Sequence, residues 1–102
     1  MSKLLIQIDE DLADIVPDFL SARNQEMPGL WQALNNTDFD YILTIGHRLK
    51  GNAGGYGFEQ MGLIGAKIED AAKAKQATQV EILLSELQNY LQSIEVVYIK
   101  AS

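Results

Sequence analysis

Apolar residues recur at helical spacing along most of the chain, in long stretches separated by polar or glycine-rich breaks. Asp9-Glu10-Asp11 puts acids where the positive end of a helix dipole favours them. Leu12, Ile15, Val16, Phe19 and Leu20 follow at helical spacing, interrupted by Pro17. Proline suits a first turn and disrupts later ones, so a short N-terminal helix is predicted to give way to a longer one from near Pro17 towards Glu26. Met27-Pro28-Gly29 interrupts again before Leu30, Trp31 and Leu34, as a kink or as a break between two helices. Asn35-Asn36-Thr37 reads as a turn, with Thr37 or Asp38 as the next N-cap.

From about Asp38 to about Gly54, Phe39, Ile42, Leu43, Gly46, Leu49 and Ala53 share one helical face. Gly54-Gly55-Tyr56-Gly57 ends that helix. Phe58, Met61, Ile64, Gly65, Ile68 and Ala72 stripe the following one, to about Lys75. Gln76-Ala77-Thr78 is a short connection with Thr78 available as a cap. Val80, Leu83, Leu84, Leu87, Leu91, Ile94 and Tyr98 then line a long last helix. The run Leu4 to Ile8 is either extended or a loose first turn lying against the rest. No strand hairpin or internal repeat is visible. The expected fold is all-α: an up-and-down four-helix bundle with an extra short N-terminal helix, one domain over residues 1–102.

Composition narrows what such a bundle can do. A chain of 102 residues carries one core. Its formal charge of −6 disfavours a nucleic-acid binder, which needs a basic face. There is no cysteine, hence no disulfide, thiolate nucleophile or cysteine-based zinc site. No apolar run reaches the ~20 residues of a membrane span, and Met1 to Asp9 is too short in apolar length for a signal peptide. A soluble cytoplasmic protein, monomeric and without membrane contact, is the expectation.

One stretch, Thr44 to Phe58, holds the only histidine and five of the eight glycines. Each glycine inside a helix costs about 1 kcal/mol relative to alanine, so several together need a reason. His47 falls on the flank of the apolar face. Gly51 and Gly54 lie one and two turns further along that flank, with Lys50 beside them. The imidazole therefore stands on a shoulder poor in side chains, next to a cation, where a bulky charged group can approach. An imidazole titrates close to neutrality, which makes a neutral ring nitrogen available as a nucleophile.

His47-Arg48-Leu49-Lys50-Gly51, with Gly57 ten residues after the histidine, resembles the H-x-x-K-G…G signature of histidine phosphotransfer domains. The resemblance covers nearly the whole chain, including the order of helices and a Leu/Ile-rich helix carrying Ile68-Glu69. Two features depart from the family's usual pattern: the glycine-rich segment 52–56, and Pro28 in a region that is often continuous helix. The resemblance implies a phosphocarrier of a two-component phosphorelay, with no turnover of its own. His47 would accept a phosphoryl group and pass it to or from the aspartate of a response-regulator receiver domain, with a sensor or hybrid histidine kinase upstream. Lys50 would help neutralise the transferring charge. Glu69, twenty-two residues after the histidine, would hydrogen-bond one ring nitrogen and leave the other as nucleophile. Leu43, Gly46, Gly51, Gly54 and Gly57 are the candidate docking positions. No cofactor or metal is expected on this chain, the Mg²⁺ belonging to the receiver.

Other chemistries fit poorly. One histidine without cysteine excludes a histidine pair for zinc and a Cys-His dyad. Gly51 to Gly55 is no P-loop, since no strand precedes it and no Gly-Lys-Ser/Thr follows. No Glu-x-x-His pair supplies a di-metal bundle. A different class remains: a helical adaptor that binds a signalling partner through the glycine shoulder without phosphorylation. The chain could also imitate the substrate domain of a chemotaxis-type kinase.

Overall fold

The computed structural model describes residues 3–100. Four helices form the body: α1 (Val16–Asn35), α2 (Phe39–Asn52), α3 (Glu59–Lys73) and α4 (Ala77–Ser93). Short loops join them, and each packs on its chain neighbours, with α1 also against α4. The expected short N-terminal helix is a 3-10 turn, Glu10–Leu12, capped by Asp9, whose carboxylate accepts from the Asp11 amide.

The long first helix passes through Pro28 without ending. Pro17 sits in its first turn, where its missing N–H is no loss. Pro28 faces solvent, while Met27 and Leu30 on either side are buried in the core and anchor the helix before and after it. Asp38, not Thr37, caps α2 by accepting from the Tyr41 amide at 3.2 Å. The last helix starts at Ala77 without a side-chain cap, so Thr78 lies inside the helix and not at its cap.

The core runs along all four helices, with Phe58, Leu30, Ile42, Met61, Ile68 and Leu84 among its fully buried side chains. Removing such a side chain from water is worth about 1.5–3 kcal/mol each. The α2–α3 pair is the closest contact in the bundle, and glycines make it possible. A Cβ on Gly46 would stand 2.8 Å from both the Glu69 amide nitrogen and the Gly65 carbonyl oxygen. One on Gly65 would stand 2.5 Å from the Leu49 Cβ and 2.9 Å from the Gly46 carbonyl.

The ends of the chain depart from the helical expectation. The last helix stops at Ser93, and Ile94–Ile99 is a strand, β2. It pairs in parallel with β1 (Leu4–Asp9), in register from Leu4 opposite Ile94 to Asp9 opposite Ile99. Ile94 and Tyr98 were expected on the stripe of α4. Their four-residue spacing keeps them on one face in a strand as well as in a helix, so periodicity alone could not separate the two. The β-branched run Ile94, Val96, Val97, Ile99 decides for the strand, because branched side chains are stiff against a helical turn. Leu4 to Ile8 takes the extended alternative, with Ile8 buried in the core. No described helix is long and apolar enough to cross a membrane.

Candidate functional site

His47 sits in the third turn of α2, on the exposed flank predicted from its spacing. Its side chain is 68% exposed. Ile42, Ile45 and Leu49 bury the opposite side of the helix and fix which way the ring must face. The neighbouring Gly46 contact pulls α3 close, and that brings Glu69 within reach. His47 Nδ1 lies 2.7 Å from Glu69 Oε2. Lys50 Nζ lies 3.4 Å from Glu69 Oε1. One carboxylate thus holds the imidazole with one oxygen and the ammonium with the other.

Glu69 is only 17% exposed, and its partners dominate its ionisation. The hydrogen bond from His47, aided by the hydrogen bond and the charge of the Lys50 ammonium, holds its carboxyl below the usual glutamate range against the opposing effect of burial. Glu69 is therefore a carboxylate at neutral pH, and an ionised carboxylate only accepts hydrogen bonds. The proton between the two groups belongs on Nδ1. The neutral ring then carries its lone pair on Nε2, which has no hydrogen-bond partner among the described residues.

The glycines expected at the docking surface divide into two groups. Gly51 and Gly54 are exposed, and a Cβ on either would meet nothing within 4 Å. Gly55 beside them is equally open. Gly46 is buried at the α2–α3 crossing and is a packing residue, not part of a docking surface. The projection put it on the apolar face; the close approach of α3 then covers it.

Gly57 is exposed but has a conformational task. Its φ of +95° closes the 3-10 turn Ala53–Tyr56 that prolongs α2, with Phe58 N donating to Ala53 O at 2.9 Å. Its Cα side packs on Ile8 of β1. Leu43, one turn before His47, is half-buried against the core and offers only part of its side chain to a partner.

Sequence reasoning missed the α3 side of this surface. A shallow groove of about 420 Å³ runs beside the site, lined by Lys50, Gly54, Glu59, Gly62, Leu63 and Ala66. Leu63 is 64% exposed. Its signal was in the sequence: Leu63 stands off the stripe formed by Met61, Ile64, Gly65 and Ile68, and so had no place in the core. No group of three or more His, Cys, Asp or Glu residues among those described is arranged to hold a metal ion.

The sequence model of the Hpt domain matches residues 5–96, nearly the whole chain. The chain belongs to the Hpt domain family. No curated protein and no solved structure was found to match it. Hpt domains are helical bundles that carry phosphoryl groups in phosphorelays, and their family role implies contact with receiver domains and kinases. They are phosphocarriers and not turnover enzymes.

Proposed function

We propose that this Hpt domain carries its phosphoryl group on Nε2 of His47, exchanging it with the aspartate of a receiver domain. The observation that carries this reading is the hydrogen bond between Nδ1 and the Glu69 carboxylate on a ring otherwise open to solvent. The Nε2 lone pair attacks the phosphorus of an aspartyl phosphate in line with the acyl oxygen. The N–P bond forms, the P–O bond to the aspartate breaks, and the aspartate leaves as carboxylate. The ring becomes a phosphorylated imidazolium still protonated at Nδ1. The Glu69 carboxylate facing that proton offsets the new positive charge without moving. Return of the phosphoryl group to a second receiver reverses each step.

Lys50 is the remaining cation. Its long side chain is half-exposed, so its ammonium can leave Glu69 Oε1 and follow the phosphoryl oxygens as they arrive. The partner supplies Mg²⁺ and the acidic pocket. The groove of Gly54, Gly62, Leu63 and Ala66 is the surface on which a receiver rests, since it is apolar, exposed and adjacent to the site. A histidine kinase is the expected upstream donor.

The test is incubation with a phosphorylated receiver domain and Mg²⁺, then intact-mass spectrometry at neutral pH. The wild type should gain one acid-labile phosphoryl group and His47→Gln none. If several receivers and kinases fail to phosphorylate the chain while one of them binds His47→Gln as tightly as wild type, the protein is an adaptor instead.

A further inference from the structure

β1 and β2 form a two-stranded sheet, and no other described strand pairs with either. Each therefore keeps one free edge of backbone N–H and C=O groups. Two strands alone are marginal in water, and free edges recruit further strands unless a proline, a bulge or an internal charge blunts them. β1, Leu4-Leu5-Ile6-Gln7-Ile8-Asp9, has none of these before its last residue. One face of the sheet packs on the bundle through Ile8, Ile6, Ile94 and Val96, while Leu5, on the other face, is 60% exposed.

The charges of β1 stand at its two ends: Lys3 just before it and Asp9 as its final residue. Neither forms an ion pair among the described residues. Two copies meeting edge to edge, antiparallel about a two-fold axis normal to the sheet, must oppose residues that point to the same face. On a strand these are residues whose numbers differ by an even amount. Centred on Ile6, such a register sets Leu5 against Gln7, Leu4 against Ile8, and Lys3 against Asp9 of the partner subunit. The ion pair forms twice. β2 has no equivalent, because Glu95 and Lys100 point to opposite faces and cannot meet in a symmetric pair.

We propose that the free edge of β1 binds β1 of a second copy of this chain, giving a continuous four-stranded sheet with Ile6 on the dyad. The dimer replaces the monomer expected from the sequence. Its interface contacts neither His47 nor the groove beside it: β1 packs at Gly57, past the end of the helix that carries His47 and past the 3-10 turn that follows it.

Sedimentation of the full chain from micromolar to millimolar concentration should reveal a reversible dimer. Lys3→Asp and Asp9→Lys should each raise its dissociation constant about fivefold or more, since two attractive pairs become repulsive, and combining them should restore it. The chain has no cysteine of its own. Residues opposed on the dyad have Cα atoms about 4.5–5.5 Å apart, within disulfide reach. Ile6→Cys should therefore oxidise to a covalent dimer and Val97→Cys should not. A chain that stays monomeric at millimolar concentration would overturn the proposal. So would a dimer indifferent to both charge reversals, or one cross-linked through Val97→Cys alone. Should Ile6→Cys fail to fold, Lys3→Asp decides, because Lys3 lies outside the strand, whereas Asp9 also caps the 3-10 turn.

Discussion

Gly46 and Gly51 lie little more than one turn apart on α2, and a methyl group would mean opposite things at the two positions. At Gly46 it would collide with the backbone of α3, at the Glu69 amide and the Gly65 carbonyl. At Gly51 it would enter open space. The first glycine exists so that two helices can touch, and that touch holds Glu69 against the imidazole. The second leaves open space one turn beyond the imidazole, at the expense of helix stability. The same residue type thus builds both the inner support of the site and its outer opening.

Substitutions can separate these two roles. The largest effect is expected at the crossing. Gly46→Ala forces backbone apart and should destabilise the fold by about 1–3 kcal/mol, as overpacking does, read as a lower urea midpoint. It should also slow phosphotransfer at concentrations where the protein is fully folded, because Glu69 is displaced from the ring.

Removing the support without touching the packing comes next. Glu69→Ala should reduce the transfer rate on the order of tenfold, comparable to losing the partner that orients a histidine elsewhere. Stopped-flow exchange with a phosphorylated receiver would measure it, and an unchanged rate would assign Glu69 a purely structural role.

A smaller effect of opposite sign is expected on the open side. Gly51→Ala should stabilise the protein by about 0.5–1 kcal/mol, since the helix gains an alanine that meets nothing. Gly51→Trp should keep the fold and weaken receiver docking, whereas equal docking would remove the opening from the account.

The helical stripes and the open flank of His47 were legible because helix geometry converts spacing into direction, whereas the reach of Glu69 to the ring was implied only by the resemblance to the family. The burial of Gly46 was not, since a projection of one helix cannot say how near its neighbour comes. The parallel pairing of β1 with β2 was hidden for a related reason. Register between the two ends of a chain is a long-range property, and Ile94 and Tyr98 fit the stripe of α4 equally well. The exposure of Leu63 was legible from its place off the stripe of its helix, but one exposed leucine does not by itself mark a surface, and the groove it lines needs Lys50 and Gly54 of the neighbouring segment beside it.

The smallest effect expected concerns pH. The carboxyl of Glu69 titrates below its usual range because of His47 and Lys50. A lowered folded-state pKa stabilises the fold above the unfolded-state value, and that contribution is lost as pH falls through the folded-state value. Glu69→Gln should therefore flatten the acid limb of stability against pH relative to wild type. Parallel curves would contradict the ion pairing.

The most direct measurement is long-range ¹H–¹⁵N correlation of histidine-labelled protein before and after phosphorylation, which identifies the protonated and the phosphorylated ring nitrogens of His47. The expected result is a proton on Nδ1 at neutral pH and a phosphoryl group on Nε2. A phosphoryl group on Nδ1, or a resting ring protonated on Nε2, would contradict the role given to Glu69.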